Sequence, residues 1–169
     1  GVQTCALPIC EAMTEARRLL ERAIERDPRY SRAYAQLANV INAFRANNWN
    51  EEFGLASTAE KSLTLARRAV AAAPNDAFAH SVLGQFLAVN NLHDAALDAA
   101  RSALRVAPND PDVLNAAASA FRRSGRHDEA IEAYRKAIAL DPFIAPNTVG
   151  NGLAYSLYMT GRFGEATEA

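Results

Sequence analysis

Cysteine is almost missing from this chain of 169 residues: there are two, Cys5 and Cys10, both near its beginning. Two thiols so placed cannot staple a fold of this length, and no other ligand pattern joins them into a metal site. Net charge is nearly absent as well. Eighteen basic and nineteen acidic side chains leave −1. That balance gives no electrostatic hold on nucleic acid or on an anionic membrane. Nowhere do about 18 apolar residues run together, so no membrane-spanning helix is expected. The start lacks the basic segment followed by an apolar one that a secretory signal needs. Aromatics are 8% of the chain, with one tryptophan, Trp49. Half of the residues are hydrophobic, but much of that half is alanine. Alanine favours helix and lets helices approach closely, while adding little buried area per residue.

Chemical motifs are missing too. There is no phosphate-cradling glycine loop, no His-Glu-x-x-His helix and no Gly-x-Ser-x-Gly elbow. The three histidines are His80, His93 and His127. The last two recur at one place in successive segments, which suits packing against a turn better than convergence on a metal. The pairs Arg17-Arg18, Arg67-Arg68 and Arg122-Arg123 read as solvated helix faces, with Arg122 kept as a binding candidate. No catalytic residue, cofactor or metal is expected.

What is present is a period. Pro74, Pro108 and Pro142 stand 34 residues apart, as do Ala69, Ala103 and Ala137. Ala96/Ala130, His93/His127 and Asp94/Asp128 keep the same spacing, and Asn75-Asp76 returns as Asn109-Asp110. A period of this length marks stacked helical units rather than one central core.

The unit at 77–110 is the plainest. Phe78, Val82, Leu83, Phe86 and Leu87 predict a helix over Ala77–Asn90. Asn91 and Leu92 make the turn. Ala96, Leu97, Ala100, Ala103 and Leu104 predict a second helix over His93–Val106, stopped by Pro108. The unit at 111–144 repeats this. Asp110 is a good N-cap and Pro111 suits the first helical position. Val113, Leu114, Ala117 and Phe121 face inward, Ser124-Gly125-Arg126 turns the chain, and Asp128–Leu140 returns. In 11–28 only a second helix remains, with Ala16, Leu20, Ala23 and Ile24. The unit at 31–74 carries Tyr34, Leu37, Ala38 and Ile41, then Leu65, Ala69 and Val70. It is about 12 residues too long, the excess falling near 46–57 and holding Trp49. The unit at 147–169 carries Leu153, Ala154, Leu157, Gly161, Phe163 and Ala166, after a linker about two residues longer than usual.

These residues resemble the tetratricopeptide repeat family over Glu11 to Ala169. The family pattern has a small residue in the first helix, two alanines seven apart in the second, and a proline five further on. Here those are Gly84, Ala96, Ala103 and Pro108, then Ala118, Ala130, Ala137 and Pro142. Ser62 departs from the pattern, since alanine is expected there. The resemblance implies an all-α, right-handed superhelical solenoid of antiparallel helix pairs. It also implies that the first helices line a concave surface. Their non-core faces would present Arg32, Gln36, Asn39 and Asn42, then Phe78, Ser81, Gln85 and Val89, then Asp112, Asn115, Ser119 and Arg122. Amide-rich faces of this kind can bond the backbone of an extended peptide or the face of a helix. Some family members grip a C-terminal carboxylate with lysine, asparagine and arginine on successive first helices. Asn39 could match one such position, but Ala35, Val82, Asp112 and Ala116 stand where other clamp residues would be needed.

The ends carry a separate signal. Gly1 to Ile9 reads GVQTCALPI, which looks like a translated sequencing adapter. Residues 1–10 are therefore set aside from the array, which takes functional weight from both cysteines. Gly164-Glu165-Ala166-Thr167-Glu168-Ala169 stops within what should be a helix, so the chain reads as part of a longer one. The interrupted early unit resembles the repeat regions of bacterial class III adenylate/guanylate cyclases, and those joined to winged-helix regulators. The functional expectation is a protein-interaction scaffold from a larger bacterial signalling or regulatory protein, cytoplasmic by default, binding a protein or peptide. The alternative is the accessory repeat region of an enzyme, a cyclase or transferase, with its catalytic domain elsewhere. Self-association through apolar ends is a third possibility.

Overall fold

A computed structural model of the chain describes residues 8–46, 55–144 and 146–168. Among the described residues there are nine helices and no strand. They divide into two compact units, Gly1–Asn75 and Asp76–Ala169.

The first unit holds α1 (Pro8–Arg26), α2 (Ser31–Ala46) and α3 (Leu55–Ala72), with α2 packed on both others. Helix α1 starts inside the segment that the sequence reading sets aside. Proline's fixed φ suits a first helical position, and Cys10, two residues further on, is fully buried. Ala16, Leu20, Ala23 and Ile24 are each half-buried on one stripe of α1. In α2 the expected inward set, Tyr34, Leu37, Ala38 and Ile41, is buried. Leu65, Ala66 and Ala69 of α3 are buried as well. Ser62 takes the alanine position with no exposed surface, and its hydroxyl has no hydrogen-bond partner. Part of the excess length expected at 46–57 is helix. Helices α2 and α3 have 16 and 18 residues, against 13 and 14 in the next pair. Trp49 lies outside the described residues.

The second unit holds α4 (Ala77–Val89), α5 (His93–Val106), α6 (Pro111–Arg123), α7 (His127–Leu140), α8 (Pro146–Met159) and α9 (Phe163–Ala166). Helices α4/α5, α6/α7 and α8/α9 pack as consecutive pairs. Helix α6 touches α4 and α5 on one side and α8 on the other, and α7 also packs on α8. The boundaries follow local chemistry. The Asp76 carboxylate accepts from the amides of Phe78 (2.9 Å) and Ala79 (3.3 Å), which caps α4. Asp110 does the same for α6 through Asp112 (2.9 Å) and Val113 (3.1 Å). Each cap satisfies donors that a helix start leaves unpaired.

The turn inside each pair is one device used three times. Asn91, Gly125 and Gly161 have φ of 60°, 75° and 77°. The next amide reaches back across the helix end: Leu92 to the Leu87 carbonyl, Arg126 to Phe121 and Arg162 to Leu157, each at 2.9 Å. The amides of Asn91, Gly125 and Gly161 bond Ala88, Arg122 and Tyr158 within that ring. This is the paired Schellman closure, whose left-handed residue favours glycine and tolerates asparagine.

Alanine sets the spacing between helices. Ala96, Ala100, Ala103, Ala117, Ala118, Ala120, Ala130 and Ala137 all have no exposed surface. At Gly84 the approach is closer still. A Cβ there would stand 3.1 Å from the Ala96 carbonyl oxygen and 3.2 Å from the Ala100 nitrogen. Larger side chains fill the spaces between pairs: Phe121, Ile131, Tyr134, Val149, Leu153 and Leu157 share one core cluster with most of these alanines.

Candidate functional site

The amide-rich face expected on the first helices is resolved into two parts, one in each unit. In the first unit, Arg32 is exposed on α2, while Gln36, Asn39 and Asn42 are half-buried. Their spacing places them along one side of the helix. Tyr34, Leu37, Ala38 and Ile41 are buried between them in sequence and occupy the core side.

In the second unit the face is carried by α4 and α6, which pack side by side. Gln85 and Val89 of α4 are half-buried, as are Asn115, Ser119 and Arg122 of α6, and Asp112 is exposed. Two expected members behave differently. Ser81 is fully buried and donates its hydroxyl to the Phe78 carbonyl at 2.8 Å, so it offers nothing to a ligand. Phe78 is half-buried and belongs as much to the packing of α4 as to its surface.

Helix α8 extends this face, and the sequence reading did not include it. Counting back from Gly161 as from Gly125, the register of Asn115, Ser119 and Arg122 on α6 falls on Asn151, Tyr155 and Tyr158 of α8. All three are exposed. The Arg122 guanidinium carbon lies 5.5 Å from the centroid of the Tyr155 ring. The His127 ring approaches that same tyrosine, centroid to centroid, at 5.9 Å. The two recurring histidines therefore differ: His127 packs on an aromatic neighbour, whereas His93 is exposed.

The second helices carry a repeated ion triad. Glu129 of α7 meets Arg101 of α5 at 3.5 Å and Arg126 at 3.1 Å. Glu165 of α9 meets Arg135 of α7 and, at 2.7 Å, Arg162. Hydrogen bonds from Arg162 and then Arg135 hold the Glu165 carboxyl down to about 2. Beside the first triad is a cavity of about 260 Å³. Leu104, Leu114, Phe121 and Ala133 form its apolar lining, with Glu132 and Lys136 at its edge. Its size suits one large side chain rather than a cofactor. Among the described residues, no group of three or more His, Cys, Asp or Glu side chains is placed to hold a metal ion. No helix there is long and apolar enough to cross a membrane.

Comparison with known proteins agrees with this geometry. A family model described as Tetratricopeptide repeat matches residues 59–111 and 89–145, which together span just over half of the chain. A crystal structure of MamA is 22% identical, covers 92% of this chain and 83% of its own, and superposes with a TM-score of 0.58. TTC0263, a thermophilic TPR protein of Thermus thermophilus, is 23% identical over 94% of this chain and 75% of its own, with a TM-score of 0.66. MamA 41-end from Desulfovibrio magneticus RS-1 is 19% identical over 92% and 80%, with a TM-score of 0.59. No curated protein matches the sequence. The structural likenesses establish the fold, an all-α solenoid of antiparallel helix pairs, and the family match carries the assignment: the chain belongs to the tetratricopeptide repeat family.

Proposed function

We propose that this chain is a protein-interaction scaffold that binds a peptide or helix on its first-helix faces, as part of a larger bacterial signalling or regulatory protein. The observation that carries the reading is the composition of those faces. Gln85, Asn115 and Ser119 stand half-buried on adjoining helices, and Gln36 and Asn39 stand half-buried on α2. Half-buried amides keep donors and acceptors at the surface in fixed positions, which suits an extended backbone better than a loose polar surface does. Repeat arrays commonly use such faces for binding. Binding of this kind makes and breaks no covalent bond.

The test is capture of partners from a lysate by the intact chain and by two variants, Asn39→Ala and the double substitution Gln85→Ala/Asn115→Ala. The double variant should lose most captured protein while its helical circular dichroism stays unchanged. Unchanged capture by both folded variants would sink the proposal.

A further inference from the structure

We infer that Arg122, seated against Tyr155, is a carboxylate-binding corner that takes an acidic group of the bound peptide; this rests on the reading that the α4/α6 face binds one.

Three observations converge there. First, Arg122 is half-buried in the last turn of α6, and its Nε is buried with no hydrogen-bond partner. Arg101, Arg126, Arg135 and Arg162 of this unit each meet a glutamate, and Arg105 bonds the Ser102 hydroxyl. Among the described residues, none of the ion pairs includes Arg122. A partly desolvated cation without a counter-charge is unfavourable, and a tyrosine face offsets only part of that cost.

Second, unspent hydrogen-bonding capacity gathers at the same turn. The Ser124 hydroxyl and His127 Nδ1 are both buried without partners. Buried polar atoms are nearly always paired, so orphans this close together set the turn apart from the rest of the described unit. The His127 ring also lies tilted against Tyr155, so the tyrosine touches both the arginine and the imidazole.

Third, the corner is open to a ligand on the candidate face. Tyr155 is 47% exposed, and Arg122 shares its register with Asn115 and Ser119. A guanidinium presents a planar fork that matches a carboxylate in two parallel bonds. The exposed part of the Tyr155 ring can cover the aliphatic stem of a glutamate. The partner chemistry is therefore an acidic peptide, supplying either a side-chain or a C-terminal carboxylate.

The intact chain, labelled with ¹⁵N, tests this through the Arg122 Nε–H resonance. Three acetylated pentapeptides serve as probes: one amide with a central glutamate, the same amide with glutamine, and the glutamine peptide with a free C-terminus. At least one acidic probe should shift the resonance saturably and bind at least tenfold tighter than the glutamine amide. Tighter binding of the glutamate amide assigns a side chain, and tighter binding of the free acid assigns a terminus. Arg122→Gln should abolish the preference. Arg122→Lys should weaken it several-fold, because lysine keeps the charge without the fork. Equal binding of all three probes, or an undiminished preference in folded Arg122→Gln, overturns the inference. The outcomes also separate it from the broader reading. Partner capture lost in Gln85→Ala/Asn115→Ala, with no acid preference anywhere, removes the corner and leaves the face. Acid preference retained while that double variant captures normally leaves the corner and removes the face.

Discussion

Single atoms decide two positions in this chain. Ser62 presents a hydroxyl where the repeat pattern expects alanine, and the structure leaves that oxygen buried and unpaired. Removing an unsatisfied buried polar atom recovers its desolvation cost. Ser62→Ala is expected to stabilise the chain by about 1 kcal/mol, measured by urea denaturation. Gly84 works in the opposite sense. An added methyl gains helix propensity, roughly 1 kcal/mol. It must also push against main-chain atoms at 3.1 and 3.2 Å, and overpacking of that kind costs about 1–3 kcal/mol. Both atoms are α5 backbone and cannot turn away as a side chain can, so the clash wins. Gly84→Ala should lower stability by about 1 kcal/mol net, and a stabilised variant would show that the α4/α5 contact is looser than described. Ala118 holds the matching place in α6 and is fully buried, so the preference for glycine is particular to the first of these two pairs.

At the scale of helices, the sequence is most readable where capping and breaking residues bracket an element. Asn75-Asp76, Asn109-Asp110 and the prolines at 108 and 142 place α4 to α7 within a residue or so. The expected end of α4 is Asn90 and the expected start of α7 is Asp128; the observed ones are Val89 and His127. The start of α1 is signalled locally only by Pro8, a residue that suits a first helical position but also suits a turn, and the burial of Cys10 is what the sequence does not show. Ser81 is misplaced by the pattern for a related reason. It lies between the core and surface stripes of α4, and only packing settles which side it joins. Tyr155 is hidden because the longer linker before α8 shifts the register away from 34. The Glu165 triad adds a pH dependence to these helices. The Glu165 carboxyl is held at about 2, below its ordinary value of 4.5. A depressed carboxyl contributes stability above its unfolded value, and that contribution disappears as pH falls through the folded one. The effect therefore lies between pH 4.5 and about 2. The group is exposed, so salt screens it. A carboxyl ¹³C titration should find Glu165 well below an ordinary glutamate, and Arg135→Gln should bring it part of the way back.

Across the molecule, stability should be graded rather than uniform, since each pair contacts only its neighbours. Helix α9 has four residues and buries none of them. Helices α6 and α7 supply most of the shared core cluster. Amide hydrogen exchange should accordingly be slowest in α6 and α7 and close to unprotected in α9. Uniform protection from α4 to α9 would argue for a single cooperative core. The fold is legible in the sequence at this scale because a period is a global property, and interruptions such as the one before Leu55 do not erase it. The candidate face is legible only in outline. Periodicity says which side of a helix is away from the core. It does not say how deep each amide sits, or which side chains Arg122 meets.

The backbone contact at Gly84 has a mechanical consequence. Most helix pairs meet through a layer of side chains, each of which has other rotamers to move to when pushed. Here one helix rests on the other through a hydrogen atom. Force on α4 is therefore expected to reach α5 directly, so that the α4/α5 hairpin should shift as one stiff body.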